Sequence, residues 1–330
     1  MPRALVTGGA GFIGSHMVDL LLAEGFDVRV IDNLATGHVE NLAHHKSNPR
    51  LAFEQIDMRD VPADAPIFGG LDFVFHFGGI GDIVPSIERP VAYMHANVNG
   101  TIAMLEGSRC AGVTKFVYAA SSSCYGLADV PTAETAPIRP EYPYALSKYL
   151  GELSALHWAE VYRLPVVSIR MFNVYGPRVR TTGAYGAVFG VFLAQKANGC
   201  PLTVVGDGTQ RRDFVYVTDV ARAFLMAARS EYSGEVFNLG AGNPQPINRL
   251  VELIGGPIAH VPKRPGEPDC TWADIGKITS CLGWKPLVPF DDGVARMLAD
   301  LGAWASAPVW TPESIAAATG KWFTYLSKQP

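Results

Sequence analysis

Apolar runs of strand length recur along the first half of the chain and alternate with segments of helical spacing. The runs are ALVTG (4–8), DVRVID (27–32), LAFEQID (51–57), DFVFHF (72–77), KFVYAAS (115–121) and VVSIRMFN (166–173). After the first of them, SHMVDLLLAEG carries Met17, Leu20, Leu21 and Leu22 toward one helical face, and further helical segments lie near 87–110 and 144–163. Strand–helix alternation of this kind predicts an α/β domain with a doubly wound parallel sheet, covered by helices on both faces, over residues 1–173.

Beyond about residue 174 the rhythm breaks. Gly and Pro become frequent, in GPRVRTTGAYGAV (176–188), GDGTQ, GAGNPQP and KRPGEPD. A smaller, loop-rich C-terminal lobe over 174–330 is expected, with 211–230, read as strand then helix, returning to the main sheet. The tail predicts a helix over 312–326: Thr311 is a suitable N-cap, Pro312 suits the first helical position, and Ile315, Thr319, Trp322, Phe323 and Leu326 share one stripe. That stripe is expected to pack on the body or on a partner subunit.

Composition narrows the setting. The 330 residues are 48% hydrophobic and 18% charged, with a formal net charge of −4, so no basic surface for nucleic acid is expected. Cys110, Cys124, Cys200, Cys270 and Cys281 are odd in number and lack C-x-x-C spacing, which argues against a disulfide framework or zinc cluster and for a reducing compartment. The N-terminal stretch lacks the features of a signal peptide, and no run approaches ~18 apolar residues. A cytoplasmic protein without membrane contact is expected. His157 has no second ligand at metal spacing, and no metal site is expected.

The first strand runs into TGGAGFIG, which sets Gly8, Gly11 and Gly14 at the mouth of the first helix. Such glycines permit a tight turn and let backbone N–H groups approach a pyrophosphate. Asp32 ends the second strand; a carboxylate there accepts both hydroxyls of an adenosine ribose and repels a 2′-phosphate, which favours NAD over NADP. Asp57, ending the third strand, is within reach of an adenine amino group.

The second chemical feature is PEYPYALSKYL (140–150), with Tyr144 and Lys148 one helical turn apart, and AASSSCYG at the end of the 115–121 strand. Together with HFGGI, NVNGT (97–101), RMFNVYGP (170–177), RRDFVYVTDV (211–220), NLGAG (238–242) and RPGEPDCTWADIGKITSCLGWKP (264–286), this set resembles the extended branch of the short-chain dehydrogenase/reductase superfamily. Those proteins are NAD-dependent nucleotide-sugar epimerases and dehydratases, and the resemblance covers nearly the whole chain. It implies a Rossmann domain with a substrate-binding C-terminal lobe. It makes Tyr144 the catalytic base, Lys148 the holder of the nicotinamide ribose whose charge lowers the phenol pKa, and Ser121 a hydrogen-bond partner of the reacting hydroxyl. It further implies cofactor contacts from Phe12, Ile13, Asn33, Met58, Phe77, Gly78, Gly79, Asn97, Ala119 and Phe172, beside the glycines, Asp32 and Asp57.

Within that family, 4,6-dehydratases carry Asp and Glu where this chain has Ser122 and Ser123. Hydroxyls cannot do general acid–base work near neutrality, so dehydration is disfavoured and a 4-epimerase is the expected activity. By the same resemblance Asn173 and Arg212 hold a diphosphate, Arg264 and Glu267 the diphosphate and ribose, and Ala187 and Val188 line the substrate site with Ser122, Ser123 and Asp82. Thr271, at the place of a gate residue, is small and implies room for a 2-acetamido group. Three departures stand out. Gly78 and Gly79 replace two alanines, which would loosen the cofactor wall; Met171 replaces a tyrosine; and Asp82 puts a carboxylate near the sugar, where it would repel a uronate. The expected substrate is a UDP-N-acetylhexosamine or UDP-hexose. UDP-glucuronate 4-epimerisation or decarboxylation, a CDP- or GDP-sugar enzyme, a dehydrogenase that releases NADH, and a non-catalytic NAD-binding regulator remain alternatives. A homodimer through helices near 97–111 and 144–163 is implied.

Overall fold

The computed structural model describes residues 1–179 and 187–327. Seven parallel strands form the main sheet: β1 (Arg3–Thr7), β2 (Asp27–Asp32), β3 (Leu51–Gln55), β4 (Phe73–His76), β5 (Lys115–Ser121), β6 (Val166–Met171) and β7 (Glu235–Leu239). Their order is β7-β6-β5-β4-β1-β2-β3, so the direction of winding reverses between β1 and β4. That reversal opens a crevice at the carboxyl ends of the strands.

The consecutive apolar residues of each strand feed two cores, one on each face. Ala4, Val6, Val28, Val30, Phe75, Val117 and Val167 face helices α1 (Phe12–Ala23) and α5 (Val217–Arg229), with Met17, Leu21, Val220 and Phe224 among the residues that meet them. Leu5, Ile31, Val74, Phe116, Tyr118 and Val166 face the other way, onto Met104 and Leu105 of α3 (Gly100–Ala111) and Ala155 of α4 (Pro143–Tyr162). A period of two within an unbroken apolar run is what a strand covered on both faces requires.

A further core is built around Tyr175, whose ring stacks on Phe189 at 4.4 Å, with Phe192, Leu202, Phe214, Ile247 and Val294 in the same cluster. Gly293 lets that packing close, because a Cβ there would lie 2.0 Å from the Tyr175 hydroxyl. The 211–230 segment differs in part from expectation. Its helix, α5, does pack on the main sheet, but its strand, Phe214–Tyr216, pairs with Asn173–Tyr175. The strand that rejoins the sheet is β7, beside β6. Asp213 ties these pieces together, its carboxylate accepting from the backbone N–H groups of Ala241, Gly242 and Ala273 at 2.8–3.1 Å.

The tail helix, α6 (Pro312–Leu326), starts with a reciprocal capping box between Thr311 and Ser314 and buries Ile315, Thr319 and Trp322. It packs against α2 (Ile83–Glu88). Among the described residues no helix is long and apolar enough to cross a membrane.

His76, at the end of β4, is wholly buried. The Thr101 hydroxyl gives its hydrogen to the Asn97 carbonyl, so the His76 Nε2–H donates to Thr101 and Nδ1 accepts from Thr7, at 2.9 and 2.7 Å. This arrangement suits the neutral ring, and burial with the nearby Lys148 charge lowers the pKa to about 3. The group is depressed relative to its unfolded value of ~6.5, so its stabilising share is complete above that pH and is lost as pH falls toward 3. Urea unfolding should show about 2 kcal/mol less stability at pH 5 than at pH 7 from His76 alone. His76→Gln, which takes up no proton, should lose that share of the pH dependence; an unchanged profile would sink this account.

Candidate active site

Two clefts open at the carboxyl end of the sheet, and they meet. The larger, about 680 Å³, runs from the β1–α1 turn across the ends of β2, β4 and β5. Gly8 turns there at φ +67°, and a Cβ on it would lie 2.9 Å from the backbone nitrogen of Gly78; one on Gly14 would lie 2.2 Å from the Gly8 carbonyl oxygen. Backbone closeness therefore demands glycine at both positions. Gly8, Gly11, Phe12, Ile13, Gly14, Asn33, Met58, Phe77, Gly78, Gly79 and Ala119 all line this cleft.

At its far end the Asp32 carboxylate is held by the backbone N–H groups of Ala10 (3.0 Å) and Leu34 (2.8 Å), and burial raises its pKa. Two fixed N–H bonds orient the carboxylate and leave it acceptor capacity toward the cleft. Asp57 is gripped by the Arg59 guanidinium at 2.7 Å and by the Asn33 amide at 2.8 Å, and both hold it well below the usual carboxylate range. A glycine turn at a helix mouth followed by an oriented ribose-binding carboxylate fits a dinucleotide, and NAD in particular.

Three expectations are revised here. Gly78 and Gly79 do not loosen the wall. Met58 fills the space in front of Gly78, its sulfur 2.7 Å from where a Cβ would stand, and the Asn97 side-chain oxygen does the same for Gly79. Asn97 itself does not line the cleft. It is buried in a π-helical turn, accepts from Ile80 N–H at 2.8 Å, and donates to the Ile80 carbonyl (3.0 Å) and to Ser147 (2.9 Å). Its polar atoms are spent on holding the 79–81 loop to α4, so it supports the cleft from behind. Phe172, expected beside the cofactor, lines the second cleft instead.

Pro143 opens α4, and Tyr144 and Lys148 point from its first turns into the large cleft. Ser121, at the end of β5, stands beside Tyr144 and favours the phenolate. Burial nevertheless raises the phenol, and the Asp82 charge raises it further. Among the groups acting on the phenol, burial dominates in the protein alone. Lys148 lies with its ammonium 4.6 Å above the Tyr118 ring, and burial lowers its pKa to about 8 against the opposing charge of Glu152. Gly151 is needed one turn on, since a Cβ there would meet the Tyr118 hydroxyl at 2.3 Å.

The second cleft, about 390 Å³, is lined by Ser121, Ser122, Ser123, Asn173, Val188, Arg212, Arg264, Glu267 and Thr271. Asp82, Met171 and Ala187 line both clefts and mark their junction. Residues 183–186 of the GAYGAV segment lie outside the described residues. Arg212 donates to Glu267 Oε1 at 2.8 Å and to the Pro268 carbonyl at 2.9 Å. Glu267 Oε2 is buried and accepts no hydrogen bond among the described residues, although Arg264 Nε stands 3.8 Å away. An orphaned acceptor beside two guanidinium groups fits a ligand carrying both hydroxyls and phosphates. Thr271 is tied down, donating to Asn173 Oδ1 at 2.7 Å. Asp82 has φ +75°, a conformation costing a non-glycine residue on the order of 1–3 kcal/mol and found mostly at functional sites.

The sequence reading passes over Glu141, Tyr142 and Trp322, which also line the second cleft. Tyr142 has a visible signal, being adjacent to the Pro143–Tyr144 start of α4. Trp322 has none, because it arrives from the far end of the chain.

The profile of the NAD dependent epimerase/dehydratase family matches residues 4–240. A putative UDP-glucose 4-epimerase of Methanocaldococcus jannaschii is 38% identical over 303 residues, covering 89% of this chain and 96% of the relative. Among solved structures, the UDP-N-acetylglucosamine 4-epimerase of Methanobrevibacter ruminantium M1, in complex with UDP-N-acetylmuramic acid, is similar with a TM-score of 0.87 and 30% identity over 92% of this chain and 98% of that one. The UDP-glucuronic acid 4-epimerase of Bacillus cereus, in complex with UDP-glucuronic acid and NAD, has a TM-score of 0.86 and 29% identity, over 91% and 99%. The chain belongs to the NAD-dependent epimerase/dehydratase family, and NAD is its cofactor.

Asp32→Ala should weaken NAD binding at least about tenfold while leaving the fold intact, as titration calorimetry would show. Undiminished affinity would mean that Asp32 only braces the glycine turn.

Proposed function

We propose that this family member is a nucleotide-sugar 4-epimerase acting on a UDP-N-acetylhexosamine or UDP-hexose. The observation that carries the reading is Ser121 and Tyr144 standing together where the two clefts meet, with serines, not carboxylic acids, at 122 and 123. NAD, when bound, supplies reversible two-electron oxidation of the sugar C4 carbinol. Tyr144 takes the proton of the 4-hydroxyl as that carbon is oxidised, and it returns a proton once the ketone has presented its other face. Ser121 hydrogen-bonds the same oxygen and the phenol, which shortens the proton's path. Lys148 supplies a fixed positive charge one turn along α4, countering the burial that raises the phenol.

Dehydration would need a second acid and a base at carbon in this cleft, and Ser122 and Ser123 supply neither near neutral pH. Asp82 and Glu141 line the sugar cleft with negative charge, which favours an uncharged hexose over a uronate. The small, tethered Thr271 supports room for a 2-acetamido group. Arg212, Arg264 and Glu267 are suited to the diphosphate and ribose of the nucleotide.

The outer face of α4 exposes Leu146, Leu153, Val161 and Tyr162, with Arg109 and Cys110 exposed at the end of neighbouring α3. An apolar strip on a long helix is a surface for a second copy, and we assign a homodimer to it. A cytoplasmic location suits such an enzyme.

Purified protein without added NAD, followed by NMR, should convert UDP-GlcNAc or UDP-glucose to the galacto epimer and leave UDP-glucuronate unchanged. Turnover of UDP-glucuronate alone would overturn the neutral-sugar assignment, and silence on all three would overturn the function. Tyr144→Phe should lower kcat by roughly 10²–10⁴-fold with NAD retained. Leu153→Asp should shift sedimentation to the monomer if α4 forms the interface.

A further inference from the structure

We infer that the C-terminal helix α6 is part of the substrate site, with Trp322 positioning the 264–268 loop and walling the second cleft beside Arg264. This rests on the nucleotide-sugar reading above and names a determinant of it. Trp322 is 4% exposed, yet it lines the cleft. Its indole N–H donates to the Pro265 carbonyl at 2.7 Å, and the Arg264 guanidinium lies 5.5 Å over its ring. Its other neighbour is Tyr142, at 6.4 Å between ring centroids.

Tyr142 in turn lies parallel to the Tyr144 ring, at 6.4 Å and 8°. A continuous aromatic wall thus runs from the catalytic phenol to an arginine of the proposed diphosphate loop. On the neighbouring residue, Lys321 pairs with Glu88 at 3.3 Å, at the end of the short helix that begins just after Asp82. The last helix of the chain therefore touches three boundaries of the sugar cleft: the 264–268 loop, α2 and Tyr142. A helix serving only to cover the core would have no reason to place its largest buried ring in a polar cleft under a guanidinium. Stacking and the indole hydrogen bond hold the Arg264 loop in one place, so ligand binding does not have to order it.

Calorimetry with UDP and UDP-GlcNAc, together with steady-state epimerisation, tests the assignment. Trp322→Leu should weaken UDP and UDP-GlcNAc about tenfold and raise KM correspondingly, with kcat within roughly twofold and NAD affinity unchanged. Trp322→Phe keeps a ring under Arg264 but loses the N–H, and should weaken UDP and UDP-GlcNAc by about threefold, less than the leucine variant does. Wild-type affinity in a folded Trp322→Leu protein would overturn the inference. If that variant does not fold, Trp322→Phe decides: unaltered UDP affinity and KM would overturn it. A wild-type protein that binds neither UDP nor UDP-GlcNAc would instead sink the nucleotide-sugar reading itself, a different result from a silent Trp322.

Discussion

The buried ion pair between Glu152 and Arg170 holds the helix that carries Tyr144 and Lys148 to the sheet. Glu152 is 1% exposed and Arg170 is 5% exposed. Arg170 donates to both carboxylate oxygens, at 2.6–3.2 Å, and Ser168 supplies a further bond at 2.9 Å. Pairing alone does not make such groups stabilising, because both have left water, but removal of either would strand a charge in the core. Geometry is the gain. Arg170 lies on β6 and Glu152 on α4, so the pair sets the depth and rotation of the helix that carries Tyr144 and Lys148. Glu152 follows Lys148 by one turn, and its charge helps keep that buried ammonium protonated. Arg170 extends the tie outward, donating to the Tyr125 hydroxyl, which donates to Asn238 on β7.

Around that fixed helix the site is assembled from two dissimilar clefts. The cofactor cleft is made of backbone brought close by missing side chains, with one oriented carboxylate at its end. The second cleft is made of charged and aromatic side chains from segments far apart in the chain. Their shared border falls at Asp82, Met171 and Ala187, which lets a group in one cleft react with a group in the other. Asp82 carries backbone strain at that border, and its charge bears on Tyr144. The same carboxylate therefore stands at the border of both clefts and raises the phenol.

Local features were the legible ones. The sheet strands up to β6, the glycine turn, Asp32 and the Tyr144–Lys148 spacing each depend on residues within one or two elements, so periodicity and spacing expose them. β7 escaped notice because five residues between turns carry little periodic signal, and its place beside β6 follows from the path of the second lobe. Asn97 and Phe172 illustrate a different limit. Both belong to motifs beside the cofactor cleft, but one turns its amide inward to the loop and helix it joins, and the other faces the neighbouring cleft. Gly78 and Gly79 illustrate a third: an absent side chain reads as empty space until Met58 and Asn97 are seen to occupy it.

The sequence by itself determined the alternation of strands and helices and the dinucleotide turn, because periodicity and short-range sterics set these. A role for Tyr144 and Lys148 came only from the family resemblance, since their spacing alone fits an ordinary helix face. Tertiary structure decided the surroundings of that chemistry. Burial raises the phenol of Tyr144, since desolvation depends on everything packed around the group. Trp322, from the C-terminal helix α6, completes a wall of the second cleft, since only the folded path brings residue 322 against residues 142 and 264.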